Sequence, residues 1–98
     1  LPTIDDAAFG KAFAPEWASA TLIEIREGFK TCEFTPDALK AVVEAVGEKH
    51  SLKLGKMQAP LRVAVTGRSV GPPLFEPIVL LGREAVLKRI DAALKKQT

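Results

Sequence analysis

The sequence is poor in the residues that build covalent cross-links and metal centres. It has one cysteine, Cys32, and one histidine, His50, among 98 residues. A disulfide within the chain needs two cysteines, and a structural zinc site needs four cysteine or histidine ligands. The sequence therefore excludes a disulfide framework and a thiolate metal centre, and we expect no bound metal.

Long apolar segments and a leader sequence are also missing. No hydrophobic run reaches the ~18 residues of a membrane-spanning helix, and the start lacks the charged, apolar and small-residue zones of a signal peptide. We therefore expect a cytoplasmic protein without membrane contact. With 47% hydrophobic and 27% charged residues, the chain suits one domain with one core, too small for most catalytic architectures. Because it begins at Leu1 and has one methionine, Met57, we expect a longer parent protein.

Charged residues of the two signs are nearly balanced in number but unevenly placed. Residues 1–50 hold five basic and nine acidic side chains, a net −4, whereas residues 51–98 hold nine basic and three acidic ones, a net +6. A positive potential concentrated on one part of a small domain favours a polyanionic partner such as nucleic acid. The alternative is a basic helix whose charges only face solvent.

The spacing of apolar residues predicts helices over most of the chain. Thr35, Pro36 and Asp37 form a start signal, because threonine caps, proline fits the first turn and an acid complements the helix dipole. That helix should run to about His50. Further helices are predicted over residues 16–29 and after Gly82. The apolar stripes of these three helices are, in the order just given, Leu39, Val42, Val43 and Val46 for the helix that starts near Pro36; Trp17, Leu22, Ile25 and Phe29 for residues 16–29; and Val86, Leu87, Ile90 and Leu94 for the helix after Gly82.

Residues 61–66 alternate enough in polarity to pass for a strand when they are read alone. Together with Leu54 and Met57, however, their apolar side chains fall on one helical face, and Gly67 suits the end of a helix. We therefore predict a helix. A proline would interrupt its interior, so we expect a start or a kink near residues 56–60.

A shorter helix is predicted before Gly82. Pro72 or Pro73 can open it, and Pro77 is tolerated only within its first turn. The sequence shows no internal repeat and no linker. It therefore predicts an all-α fold, a compact bundle of about five helices.

Two patterns resemble catalytic sites. Ser69 occupies the nucleophile position of a G-x-S-x-G motif, but hydrolases place an acid and then a histidine after the serine, and the only histidine, His50, precedes it. Prolines also follow Gly71 where the hydrolase motif needs a helix. Cys32 and His50 could form a nucleophile and its base, but a buried thiol and a histidine at a helix end explain both. We predict no catalytic residue.

The most specific pattern lies in residues 54–84. It consists of LGKMQAPLRVAVTGR at 54–68, PPLFE at 72–76 and LLGRE at 80–84. Together these segments resemble the C-terminal end of bacterial-type glutamyl-tRNA synthetases, class I aminoacyl-tRNA synthetases whose distal helical subdomain holds the tRNA anticodon. The resemblance implies such an anticodon-binding subdomain over residues 31–98, with residues 1–30 as an N-terminal helical segment continuing from the preceding subdomain.

The resemblance also implies a set of contacts with the first anticodon nucleotides. Single-stranded loop bases are read by arginine, stacking surfaces and backbone groups. Phe75 could stack on a base or could anchor the loop in the core. Two positions depart from the family: Gly71 replaces a serine or threonine hydroxyl, and Pro77 replaces an ordinary helix residue. The implied contacts are Arg62, Arg68, Ser69, Gly71, Pro72, Leu74 and Phe75.

The last helix offers candidate phosphate contacts, which carry no sequence information: Lys88, Arg89, Lys95 and Lys96. The implied partner is glutamate tRNA, with glutamine tRNA as a second candidate, bound by a monomer. ATP and magnesium are implied only for the parent enzyme's catalytic domain, whose motifs this sequence lacks, so we expect no cofactor here and RNA binding without aminoacylation. The alternative function is a protein-interaction module that inserts the apolar face of the last helix into a partner's groove.

Overall fold

Six α-helices make up the described part of the chain. A computed structural model describes residues 4–69, 71 and 73–97, and none of these residues forms a strand. The all-α prediction is confirmed, with six helices in place of about five. The helices are α1 (Asp6–Phe13), α2 (Trp17–Thr31), α3 (Pro36–Lys49), α4 (Leu54–Thr66), α5 (Phe75–Leu81) and α6 (Arg83–Gln97).

The additional helix is α1, because the described part of residues 1–30 contains α1 and most of α2 where the sequence predicts one helical segment. Asp5 caps α1, and its carboxylate accepts a hydrogen bond from the N–H of Ala8 at 2.8 Å. Pro15 follows closely after α1 and has no N–H to continue the helical hydrogen bonds. With eight residues, or about two turns, α1 is short for recognition from the spacing of its apolar residues.

The start signal of α3 works as the sequence predicts. The hydroxyl of Thr35 accepts from the N–H of Ala38 at 3.3 Å, and Pro36 is the first helical residue. The helix ends at Lys49, with His50 at its C-cap. This agreement follows from local chemistry, since capping depends on neighbours in the sequence.

The stretch 61–66 is helical, as predicted, and belongs to α4. The helix begins at Leu54, before the expected interval of 56–60, so Pro60 lies inside it. Met57 and Leu61 are at most 1% exposed. The buried stripe therefore determines the local structure in spite of the proline and the β-branched residues.

The last two helices are separated by Gly82, which has φ +88°. Pro77 is the third residue of α5 and so lies in its first turn, as the sequence requires. On α6, Val86 and Ile90 have no exposed surface, and Leu87 and Leu94 pack against the core. Because this chain covers the apolar face of α6, the structure does not favour the interaction-module alternative.

Two helices lie at the centre of the packing. α2 packs against α3, α4 and α6, while α4 packs against α1, α2, α3 and α6, and α5 bridges α3 and α6. The molecule measures 31 × 29 × 23 Å. None of the described helices combines the length and the apolarity needed to cross a membrane.

Arg83 joins the start of α6 to the end of α2. Its Nε donates to the carbonyl of Phe29 at 3.1 Å, its Nη2 donates to the carbonyl of Cys32, and its guanidinium lies 5.1 Å from the ring centre of Phe34. The carbonyls at a helix end have no partner within the helix. Arg83 thus stabilises the turn that leads into α3.

Candidate nucleic-acid interface

The end of α4 directs the chain into the loop that the sequence singles out. Gly67 has φ +80°, the left-handed conformation that ends many helices, and its N–H donates to the carbonyl of Val63 at 2.8 Å. The N–H of Asp5 donates to the carbonyl of Gly67 at 2.9 Å. The turn is therefore attached both to its own helix and to the start of α1.

Thr66 organises the same turn through its side chain. Its hydroxyl donates to the carbonyl of Arg62 at 2.7 Å and accepts from the N–H of Arg68 at 3.2 Å. Thr66 is not among the residues predicted from the sequence, although a threonine one residue before a helix-ending glycine is a signal for this role. These two hydrogen bonds fix the path of the backbone on both sides of Gly67.

The loop returns to α4 at Arg62. The Nη1 atom of this half-buried arginine lies 3.2 Å from the point where a Cβ on Gly71 would stand. The structure thus brings together two of the predicted contact residues. Because Gly71 has no side chain, the guanidinium fits directly against the loop backbone.

The far end of the loop is anchored in the core. Leu74 is 2% exposed, so its side chain holds the loop and only its backbone can face a ligand. Phe75 is half-buried and packs against the core, a position compatible with both of its predicted roles. Pro72 lies outside the described residues.

Arg68, Ser69 and Gly71 are exposed. No ion pair engages the guanidinium of Arg68 within residues 4–69, 71 and 73–97. An exposed arginine without a carboxylate partner is suited to a phosphate or a base edge. Together with Arg62, these residues form a basic surface, which we call the loop surface.

The basic residues of α6 are placed differently. Nη1 of Arg89 donates to the carbonyl of Val65 at 2.8 Å, so this side chain caps the end of α4. Nζ of Lys96 lies 3.3 Å from Asp6 and 5.2 Å from the ring centre of Phe9. Both side chains therefore connect helices of this domain.

Two other lysines of α6 lie near the surface. Lys88 pairs with Glu84 at 3.4 Å, and Lys95 is exposed. Phosphate contacts by the four basic residues of α6 stay predictions.

A groove of about 510 Å³ adjoins the loop surface at Ser69. Its walls come from α1, the start of α2 and the first half of α4, and they include Lys11, Trp17 and Lys56. Trp17 belongs to the predicted apolar stripe of α2 and packs against the core, but its side chain is only half-buried. Lys11 and Lys56 are far apart in the sequence, so only the fold could bring them together.

The histidine of both catalytic alternatives is engaged elsewhere. Nε2 of His50 contacts the carboxylate of Glu24, which also accepts from Lys49 at 2.8 Å. No hydrogen bond joins His50 to Ser69 or Cys32 in the portion that the structure describes. The same portion contains no group of three His, Cys, Asp or Glu residues able to hold a metal ion.

Fold and site together define a small all-α domain with a basic, loop-centred surface. The chain belongs to the anticodon binding domain family, whose family model matches residues 1–94. Nearly the whole chain is thus accounted for by one domain family.

The most similar curated proteins include two bacterial glutamate–tRNA ligases. The ligase of Streptomyces avermitilis is 52% identical over 98 residues, which are 99% of this chain and 19% of that protein. The ligase of Streptomyces coelicolor is 53% identical over 96 residues, 97% of this chain and again 19% of that protein. This chain therefore spans about a fifth of the length of these relatives.

A solved structure supports the fold. The crystal structure of a glutamate tRNA ligase from Elizabethkingia meningosepticum, in complex with its amino acid, superposes with a TM-score of 0.89. The match covers 98% of this chain and 19% of that one, at 24% sequence identity. At this identity the likeness establishes the six-helix fold and not the residues of the interface.

Proposed function

We propose that this chain binds the anticodon loop of a tRNA through the loop surface. The observation that carries the proposal is the contact of Arg62 with Gly71, at the point where an exposed loop returns to α4. Gly67 and Leu74 hold the two ends of that loop. A guanidinium next to accessible backbone groups is a suitable surface for an unstacked base.

The chemistry of this surface favours base recognition over general attraction of charge. A guanidinium presents donors in a rigid planar fork, which can bind the edge of a base or stack on its face. Thr66 holds the backbone of Arg62 and of Arg68. Because these hydrogen bonds hold the backbone on both sides of Gly67, less conformational entropy is lost there when RNA binds.

The wider proposal is that the chain is the anticodon-binding part of a glutamate–tRNA ligase. Its partner would then be glutamate tRNA, with glutamine tRNA as a second candidate, bound by a monomer in the cytoplasm. Residues 1–30 would lead in from a preceding subdomain, and residues 31–98 would carry the anticodon contacts. ATP and magnesium would bind in the catalytic part of the longer enzyme and not here.

Titration with RNA stem-loops tests the proposal. Anticodon stem-loops of the glutamate and glutamine tRNAs are titrated against this chain at two salt concentrations. Arg62→Ala should weaken binding by about 1–3 kcal/mol, the cost of losing one good base contact. Arg62→Lys keeps the charge and loses the fork, so it should recover only part of the affinity.

The matched control is Lys40→Ala, which removes one exposed positive charge from α3 and should change affinity little. Circular dichroism establishes that each variant keeps its helices. Unchanged affinity of Arg62→Ala, with an unchanged spectrum, contradicts the assigned role. Weaker binding at higher salt is expected, because phosphate neutralisation releases counterions.

A further inference from the structure

The groove beside the loop surface has two features, a pair of cations and an aromatic wall. Lys11 on α1 and Lys56 on α4 are both exposed and both line it. Neither lysine forms an ion pair with any residue that the structure describes. No acidic side chain is among the described residues of its lining. The groove is therefore complementary to an anion.

The second feature is an aromatic wall. Trp17, the only tryptophan of the chain, is half-buried at the start of α2 and lines the groove together with Pro15 and Ala59. An accessible face of an indole next to cations is a common platform for nucleic-acid bases, since every base has an aromatic face. The volume of about 510 Å³ falls within the range of small-ligand sites.

The groove is also continuous with the loop surface. Ser69 lines the groove and lies in the loop between Gly67 and Gly71. A strand with one nucleotide at Arg62 thus has a direct route past Ser69 into the groove. An acidic peptide would also match the lysines, but it would not use the connection to Arg62 through Ser69.

We propose that the groove binds one further nucleotide of the same RNA strand, next to the nucleotides at Arg62. Its base lies against the indole of Trp17, and its phosphates are contacted by Lys11 and Lys56. This inference rests on the proposed function and adds a second, aromatic subsite to it. It identifies three binding residues that the sequence motifs do not indicate.

Trp17 itself provides the first test, because no other tryptophan and no tyrosine contributes to the emission. An anticodon stem-loop is titrated against the whole chain while the indole emission is recorded. The titration is repeated with stem-loops that carry one abasic nucleotide at each loop position in turn. We expect one abasic position to abolish the quenching of Trp17. This position should differ from the one at which an abasic stem-loop binds the native chain and Arg62→Ala with equal affinity.

Variants of the groove provide the second test. Trp17→Leu should reduce affinity about tenfold, and Trp17→Phe should restore most of it, because a phenyl ring still stacks. Lys11→Ala with Lys56→Ala should lower the slope of log affinity against log salt by about 1.4, since each phosphate contact on a single strand contributes about 0.7. Lys30→Ala with Lys40→Ala removes two exposed charges outside the groove and should leave the slope unchanged.

The outcomes separate the two proposals. If the stem-loop binds in an Arg62-dependent way while the emission and both sets of groove variants are unaffected, the subsite is refuted and the proposed function stands. If no stem-loop binds at low salt, both are refuted. If an acidic peptide quenches Trp17 and a bound stem-loop does not, the groove is a peptide site and the inference is wrong.

Discussion

At the scale of single residues, the shape of the loop surface depends on a missing side chain. Gly71 leaves room for the guanidinium of Arg62, and a Cβ there would stand 3.2 Å from Nη1. This spacing is tighter than an ordinary van der Waals contact, but the atom it meets ends a flexible side chain. An added methyl group should therefore displace the arginine and leave the fold intact.

Gly71→Ala is thus expected to reduce affinity for the stem-loop several-fold. The free energy of unfolding should change by less than about 0.5 kcal/mol, as for most surface substitutions. Urea denaturation and a binding titration measure the two quantities. The matched control is Gly55→Ala on α4, where no atom lies within 4 Å of the added Cβ. Equal loss of affinity in both variants would show that displacement of Arg62 is not the cause.

Arg89 shows that positive charges on one helix can have different roles. Because it caps the carbonyl of Val65 at 2.8 Å, Arg89→Ala should lower the free energy of unfolding by about 1.5–3 kcal/mol, the range for a hydrogen bond to a charged group. Lys88→Ala removes only an exposed pair with Glu84 and should cost less than about 1 kcal/mol. Chemical denaturation of both variants measures this. A larger effect at Lys88 would contradict the structural role of Arg89.

At the scale of helices, α2 and α3 are joined by charge as well as by apolar packing. Glu24 on α2 faces Lys49 and His50 at the end of α3, and these hydrogen bonds, that of Lys49 first, hold the pKa of Glu24 below its ordinary value of 4.5. A carboxylate whose pKa is lowered by folding stabilises the folded state at pH values above the pKa that it has in the unfolded chain. That contribution is lost as the pH falls through the folded pKa.

We therefore expect the free energy of unfolding to decrease as the pH falls below about 4.5. Glu24→Gln should be less stable than the native chain near neutral pH and should show a smaller decrease in acid. Glu44→Gln, an exposed control on α3, should follow the native chain. Denaturation curves measured near neutral pH and near pH 3 decide this. If the stability of Glu24→Gln decreases in acid as much as that of the native chain, the decrease comes from other groups. Glu27, whose pKa is lowered by Lys30, is one of them.

The sequence predicts elements well where the determinants are local. Thr35 and Pro36 define the start of α3, and the stripe through Met57 and Leu61 decides between strand and helix. The sequence does not reveal α1, whose buried side chains are mostly small. Nor does it show which carbonyl Arg89 caps or that Trp17 lines a groove, because both depend on how distant helices are packed.

At the scale of the whole molecule, the acidic and basic halves of the sequence are interleaved. Arg26 on α2 binds Asp91 on α6, with Nη2 to Oδ2 at 3.1 Å, and Lys96 on α6 reaches Asp6 on α1. The net charges of −4 and +6 therefore do not form two separate poles. Binding of RNA should depend on the local charges around the loop surface more than on the overall imbalance.

The acidic and basic halves of the sequence also contribute side chains to one common core. Leu22, Ile25 and Phe29 of α2 are at most 1% exposed and pack with residues of α3, α4 and α6. A fragment of residues 31–98 loses these side chains, and removal of even one large core side chain costs about 2–5 kcal/mol. We expect this fragment to unfold without a cooperative transition in thermal circular dichroism, while the whole chain shows one. A sigmoidal transition of the fragment would contradict this expectation.

The hydrogen bond from Asp5 to Gly67 links the first helix to the turn that precedes the loop surface. An amide held in this way exchanges its proton with solvent only when the bond opens, so the exchange rate of Asp5 reports the opening of a turn more than sixty positions away in the sequence. RNA that rigidifies the loop should slow this exchange without touching Asp5. The amide of Asp5, near the N-terminus, is thus a built-in probe of the loop surface.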